Sequence, residues 1–491
     1  MPEIALDRKR LLRAFEWTAA GTAVGYGLSF VRSVVLARLL FPADYGLFGL
    51  AAGVLMGLTV FTEFSLASKV VVMAFPTERE ERIHLDTVWT AGLIRGALLA
   101  ILIALSAAPA AAWFHDGRLF KVLMIISAAP FISGFQNVGL IKLQKDLAFR
   151  KLTIQQRVAD ILTFLITVVL AVITHNYLAL VGSQLVSALT TVLLSYSICS
   201  YRPRIAFDGR ALRDSFHFGK HLFVVSILTF VTTQFDNFAV GRYLGTVALG
   251  PYILAYRLAM LPVDALISIL NSVLFPAYSK VRLTESGRLA SFFLKLNTVS
   301  AGLVLAAVAP LALAARPLIY LLYGHRWDAA CAPLPILAFA GIFRGFAHTI
   351  SPWLVSIGRP DLDAKCKMVE ASVFVSLTLI LVPRFGVAGA AWTGVASYAL
   401  AYIMRLALAV RLLEGAPVGP TFIGLVQPLW IAALAFVAAR LLSMAGSPLV
   451  ASLSAYYCVL LGFAYLGNRF LRVEARTVAN ALYRWLSPEW S

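Results

Sequence analysis

Apolar runs of about 20 residues follow one another from residue 17 to residue 467 of this 491-residue chain. An α-helix needs ~20 predominantly apolar residues to cross the hydrocarbon core of a bilayer. Hydrophobic residues make up 60% of the chain, charged residues 13%, and the mean hydropathy is +0.83. A soluble domain carries roughly 45–50% apolar and about 25% charged residues. A soluble globular enzyme is therefore excluded. So is a single anchor bearing a catalytic domain, because no long stretch of ordinary composition remains. Runs such as Leu98–Ala108 do not alternate with period two, which excludes a transmembrane β-barrel. The expected fold class is an all-α polytopic membrane protein with about fourteen transmembrane helices.

The spans fall near 17–40, 46–73, 87–112, 119–141, 155–174, 177–199, 218–240, 247–276, 290–314, 332–355, 366–383, 387–410, 421–442 and 448–467. Pro and charge clusters such as Phe41-Pro42-Ala43-Asp44, His115-Asp116-Gly117-Arg118 and Arg202-Pro203-Arg204 punctuate them. This layout predicts a basic arm over 1–16, an N-lobe over 17–200 holding spans 1–6, and a linker over 201–217. A C-lobe over 218–412 holds spans 7–12, two further spans occupy 421–467, and a tail covers 468–491. In the tail, Leu471, Ala475, Val478, Leu482 and Trp485 recur at helical spacing beside Arg472, Arg476 and Arg484, as in a surface-lying amphipathic helix. Arg8, Lys9, Arg10 and Arg13 precede an apolar run that continues to Leu40. That run exceeds the ~7–15 residues of a signal-peptide core, so it reads as a retained first span.

Lys and Arg number 42 against 24 Asp and Glu, a formal net charge of +18. With no polar domain to hold a groove reader, this excess does not point to nucleic acid. It is distributed by loop. On the side of the N-terminus lie 29 of the 42 basic residues, and only eight lie on the other side. The positive-inside rule then places both termini in the cytoplasm, and an even number of spans follows. The four cysteines, Cys199, Cys331, Cys366 and Cys458, are isolated, so neither a metal site nor a disulfide framework is expected.

A shift of 204 residues lays Arg38–Ala51 over Arg242–Ala255. Arg38/Arg242, Leu40/Leu244, Gly46/Gly250, Leu50/Leu254 and Ala51/Ala255 are identical. Each segment joins corresponding spans, the first to the second and the seventh to the eighth. Such parallel repeats are related by an axis along the membrane normal and bind substrate at their interface.

A charge at the bilayer centre costs at least ~2.5–3.5 kcal/mol, so an ionisable group inside a span is a candidate for function. These groups are Arg32, Glu63, Lys69, Arg95, Asp236, Arg257, Asp264 and Arg344. His348 follows Arg344 by one helical turn, and Gln234 and Asn237 flank Asp236. The expected site is a hydrated basic cavity between the lobes. Arg32, Arg95, Arg257, Arg344, His348, Gln234 and Asn237 would contact substrate there. Asp236 and Glu63 would hold the arginines in place or carry a coupling cation or proton. Arginine suits phosphate because its planar fork gives bidentate, charge-assisted bonds. Arg38 and Arg242 read as interface anchors at span ends. No GxxxxGK[ST], HExxH or GxSxG motif occurs. Asp361-Leu362-Asp363 reads as a solvated helix start rather than a nucleotide-sugar metal site.

Arg38-Leu39-Leu40-Phe41-Pro42-Ala43-Asp44-Tyr45-Gly46-Leu47-Phe48 resembles the ARLLxPxDYGLF segment of the Wzx-type lipid-linked oligosaccharide flippases. Asp236-Asn237 through Gly241-Arg242-Tyr243-Leu244-Gly245 to Leu249-Gly250-Pro251-Tyr252 resembles the same family's DNxxVGRxLGxxxLGxY segment. Val273-Leu274-Phe275-Pro276-Ala277-Tyr278-Ser279 resembles its VLFPAxS. The resemblance implies the multidrug/oligosaccharidyl-lipid/polysaccharide exporter fold, two pseudo-symmetric six-helix lobes plus two C-terminal helices. It also implies an activity without covalent chemistry, metal or cofactor. That activity moves an undecaprenyl-diphosphate-linked oligosaccharide repeat unit across the bacterial inner membrane for O-antigen, capsule or exopolysaccharide synthesis. A polysaccharide polymerase and co-polymerase are the implied protein partners. Two other readings are a same-fold small-molecule or cation antiporter and a membrane polymerase or ligase. The antiporter would need an acidic cavity, and the enzyme a sizeable outer catalytic loop.

Overall fold

The computed structural model describes residues 8–62, 75, 77–146, 148–284, 289–412, 437, 441 and 451–458. Among these residues every regular element is helical. In chain order they are α1 (Arg8–Leu39), α2 (Pro42–Thr62), α3 (Glu78–Trp113), α4 (Arg118–Ile126), α5 (Ala128–Gly134) and α6 (Gly139–Lys145). They continue with α7 (Phe149–Thr174), α8 (Leu178–Ile198), α9 (Gly209–Thr284), α10 (Leu289–Leu313), α11 (Ala315–Leu322), a 3-10 turn at His325–Ala330, α12 (Pro333–Ser356) and α13 (Pro360–Leu412).

Two of these helices are too long to be single spans. The apolar part of α9 covers 48 residues and α13 covers 53. At 1.5 Å per residue these would reach roughly 70–80 Å, over twice a ~30 Å hydrocarbon core. Each is broken at a glycine that adopts a left-handed φ, 80° at Gly245 and 61° at Gly386. A glycine takes this conformation at no steric cost. The chain folds back at Gly245. Tyr252 Oη donates to Asp236 Oδ2 at 2.5 Å, although 16 straight helical residues would separate them by about 24 Å. At Gly386 the return is equally tight, because a β-carbon on Gly389 would overlap the carbonyl of Leu381. With α4 to α6 as one bent crossing, the described residues make twelve apolar crossings, in the places expected for the first twelve spans.

The expected spans 13 and 14 and the amphipathic tail lie outside the described residues, apart from residues 437, 441 and 451–458. Within 451–458, Tyr456 Oη donates to the Leu305 carbonyl of α10 at 2.9 Å.

The chain divides into two compact units. The first comprises Met1–Ala255, Ile319–Ala330 and Ala371–Thr393. The second comprises Tyr256–Leu318, Cys331–Glu370 and Gly394–Ser491. In the first unit α7 packs against both α1 and α8, and α3 packs against α4 and α5. In the second, α10 packs on α12 over a core that includes Phe293, Val304, Phe346, Trp353 and Tyr402.

Arg38 ties two parts of the first unit together. Its guanidinium donates to the carbonyl oxygens of Leu321 and Leu322 at the end of α11, the first of these being a short contact. Cations favour helix C-termini, where carbonyls lack helical partners. Trp327 Nε1 donates to the Ala37 carbonyl at 2.8 Å. Arg242, its repeat mate, stacks over Trp113 at 5.1 Å. Arg38 thus acts as a helix cap, a role its reading as an interface anchor did not include.

Candidate functional site: a polar cavity at a broken helix

The first unit holds a cavity of about 580 Å³. That volume lies within the roughly 300–1,000 Å³ of ligand pockets. Thr59 of α2, Trp89 and Arg95 of α3, and Gln184, Ser187 and Thr191 of α8 line it. On α3 the lining positions 88, 92, 95, 96 and 99 follow helical spacing, so one face of the helix turns to the cavity. Among the described residues that line it, none is acidic.

The remaining wall is a crossing that does not stay helical. Residues 119–141, expected as one continuous span, form α4, α5 and α6, with a 60° bend before Gly139. Gln136 and Asn137 lie between the helical pieces. Irregular backbone is tolerated at membrane depth only where it is buried in protein or lines a cavity, and its polar groups need partners. Here they have them. The Asn137 N–H donates to Ser195 Oγ at 3.0 Å, and the Gly139 N–H donates to Asn137 Oδ1 at 2.8 Å. Asn137 Nδ2 donates to the Tyr201 carbonyl at 2.8 Å. Gln136, Asn137, Ser133 and Leu140 all face the cavity. Transporter sites are built on such discontinuous helices. Their signal in the sequence is Pro130, Gly134 and Gly139 flanking the polar pair Gln136-Asn137, an interruption that hydropathy averaged over a whole span conceals.

Of the residues singled out from the sequence, Arg95 lines this cavity, half-buried, with Nε donating to Thr62 Oγ1 at 3.4 Å. Arg32 lies in the same unit and donates to buried Ser183 Oγ at 3.0 Å, four residues before Ser187 of the cavity wall. Asp236 is buried and accepts from Tyr252 Oη and from the Asn237 N–H at 2.9 Å. Gln234 and Asn237 bond to each other at 3.0 Å, and Gln234 also reaches Met56 of α2. Glu63 and Lys69 lie outside the described residues.

Arg257, Arg344 and His348 belong to the second unit. The Arg257 side chain is exposed, and Arg344 is ion-paired with Asp264 at 2.9 Å. His348 sits one turn beyond Arg344 on α12, half-buried.

The second unit also holds an ionic cluster that sequence reading missed. Arg405 is 5% exposed and meets Asp363 at 2.7 Å and Glu370 at 3.4 Å. Lys367 meets Glu370 at 2.6 Å, and Ser351 Oγ donates to Asp363 at 2.8 Å. Asp363 and Arg405 stand 42 residues apart, on the two arms of α13 that the Gly386 turn folds together. Asp361 is a solvated helix start, exposed and paired with Arg359, as expected. Asp363 is not: it is drawn into this cluster. Arg405, inside the expected span 387–410 but not among the span charges singled out, is buried.

A family model described as "Polysaccharide biosynthesis protein" matches residues 35–332, well over half of the chain. The chain belongs to this polysaccharide biosynthesis protein family. Several relatives resemble it over most of their length. It is 24% identical to the lipopolysaccharide biosynthesis protein WzxC of Escherichia coli (strain K12) over 380 residues, 76% of this chain and 75% of that one. It is 25% identical to the succinoglycan biosynthesis transport protein ExoT of Rhizobium meliloti (strain 1021), over 72% of this chain and 71% of that one. It is 24% identical to the teichuronic acid biosynthesis protein TuaB of Bacillus subtilis (strain 168), over 74% of each chain. The fold is that of the lipid II flippase MurJ in its inward closed conformation, with a TM-score of 0.72 at 14% identity, covering 93% of this chain and 99% of that one. A multidrug resistance MATE family transporter of the MOP superfamily, inward-facing, aligns with a TM-score of 0.56 at 18% identity, covering 82% of this chain and 96% of that one. This member of the polysaccharide biosynthesis protein family is a multi-pass α-helical membrane protein of the transporter fold.

Proposed function

We propose that the chain is a flippase for an undecaprenyl-diphosphate-linked oligosaccharide repeat unit. It carries that headgroup from the cytoplasmic to the outer leaflet of a bacterial inner membrane, with both termini in the cytoplasm. The observation that carries this reading is the 580 Å³ cavity walled by amides, hydroxyls, Trp89 and Arg95 inside an apolar bundle. An oligosaccharide presents rings and hydroxyls. Amide and hydroxyl side chains exchange hydrogen bonds with the hydroxyls, and an indole face covers a ring. The cationic Arg95 neutralises anionic charge on the headgroup. The prenyl chain stays in the lipid, and rocking of one repeat against the other gives alternating access. No bond is made or broken, so no catalytic group is required. Arg32, Arg257, Arg344 and His348 supply further polar contacts, while Asp236 and Glu63 serve charge pairing or ion coupling. The product is passed to a polymerase and co-polymerase.

Purified protein in vesicles holding a fluorescent undecaprenyl-diphosphate oligosaccharide tests the reading. Label should become accessible to an impermeant quencher at a protein-dependent rate. Chain elongation by the pure protein, or no transfer, would contradict it.

A further inference from the structure

A second cavity, about 340 Å³, lies between α1 and α7. It shares Gln136 and Leu140 with the first, so the two are neighbours with these side chains between them at the broken crossing. Gln155 joins them from the other side, lining the second while its Nε2 donates to the carbonyl of Thr191, a lining residue of the first. Thr18 and Gln156 are exposed at its rim.

The groove is cut by small residues. Gly21 and Gly25 of α1, one turn apart, sit directly beneath Thr153 and Arg157 of α7, and a β-carbon on either glycine would overlap those side chains. Small residues spaced by four let membrane helices approach closely. Here the space they leave is taken by a hydroxyl and a guanidinium.

Arg157 is out of place as a loop charge. Arg150, two turns earlier on α7, stacks over Trp17 at 5.3 Å, an aromatic–cation pair of the kind found at membrane interfaces. Arg157 lies seven residues further along the helix, about 10 Å deeper. Asp160 holds its Nη1 at 2.9 Å and also takes Gln156 Nε2 at 3.0 Å. Arg157 Nε is buried and has no hydrogen-bond partner. A guanidinium with a free donor, walled by hydroxyls and amides in an apolar slab, matches a phosphate oxygen.

From this geometry we infer that the α1–α7 groove is a lateral port for the lipid-linked diphosphate, with Arg157 as its first phosphate contact. The inference rests on the flippase reading and extends it. The diphosphate enters at the side of the bundle while the sugars reach past Gln136 into the larger cavity. Asp160 is the competing carboxylate that a phosphate oxygen displaces from Arg157.

Full-length protein in nanodiscs tests this with undecaprenyl diphosphate, which carries no sugar. Arg157→Gln should weaken binding tenfold or more, the factor for one charge-assisted hydrogen bond. Asp160→Asn should bind at least as tightly as wild type, since it removes the competing carboxylate, and it keeps the test open if Arg157→Gln fails to fold. In vesicles, Arg157→Gln should raise the substrate level for half-maximal flipping. Unaltered binding by Arg157→Gln, or weaker binding by Asp160→Asn, would overturn the port. So would equal affinity for inorganic pyrophosphate, or displacement of undecaprenyl diphosphate by the same mole fraction of phosphatidylglycerol. Flipping by wild type with an unchanged Arg157→Gln concentration dependence overturns the port alone. No flipping by wild type overturns the flippase reading.

Discussion

Gly46 and Gly250 meet across a two-fold relation written into the sequence. A β-carbon on Gly46 would overlap the carbonyl oxygen of Thr246, and one on Gly250 would overlap the carbonyl oxygen of Pro42. The 204-residue shift that lays Gly46 on Gly250 also lays Pro42 on Thr246. The contact is therefore reciprocal, each repeat giving what it receives, as in a self-complementary interface. Gly49 packs on Ile253, its own repeat mate, so the axis passes beside that pair. The internal repeat is thus a spatial relation as well as a sequence one.

Because the obstructing atoms at this crossing are backbone, they cannot turn aside. Gly46→Ala or Gly250→Ala should each cost about 1–3 kcal/mol or more, the range for overpacking. Gly27→Ala on α1, with open space around it, should instead gain ~0.5–1 kcal/mol. Thermal unfolding of the purified protein in detergent reads both signs.

The cluster around Arg405 balances two cations, Arg405 and Lys367, against two anions, Asp363 and Glu370. Removing one member of a buried pair leaves an uncompensated charge and costs about 3–5 kcal/mol. Arg405→Met should show this loss. Glu370→Gln should be similarly harmful, and adding Lys367→Met should recover part of it, a coupling of ~0.5–3 kcal/mol. Strict additivity in a double-mutant cycle would refute the cluster as a unit.

The turn at Gly245 is pinned by Tyr252 on Asp236. Tyr252→Phe deprives a buried carboxylate of a donor and should cost about 1–3 kcal/mol. Gly245→Ala should also destabilise, because alanine is strained at a φ of 80°. Unfolding midpoints of the two variants check this.

In the loop before α4, Asp116 accepts from Arg118 Nη2 at 2.8 Å and from Thr246 Oγ1 at 3.2 Å. The Arg118 guanidinium holds its carboxyl below the usual carboxylate range, against the opposing effect of partial burial. A lowered folded-state pKa stabilises above the unfolded value near 3.9 and loses that effect as pH falls through the folded value. The stability gap between wild type and Asp116→Asn should be constant from about pH 7 to 5 and close below about pH 4. A gap that widens in acid would contradict the pairing.

How much of this was legible in the sequence depends on the range of the interaction. Apolar runs of span length placed twelve crossings, and the motif around Gly245 located the seventh-to-eighth turn. Arg95 was found because a charge in an apolar run stands out locally. The break at Gln136-Asn137 was hidden because flanking apolar residues keep the window average high. Arg405 and Asp363 were separately unremarkable loop-end charges, and only the Gly386 turn brings them together. Asp361 and Asp363 share one short motif yet differ in burial, a distinction set by which face of α13 meets its other arm.

In proteoliposomes, the flipping rate of a fluorescent undecaprenyl-diphosphate oligosaccharide should fall at least tenfold when Arg95→Gln and Gln184→Leu strip the cavity of two polar contacts. The unfolding midpoint should stay near wild type. Wild-type flipping by this well-folded double variant would show that the headgroup crosses the membrane by some other route.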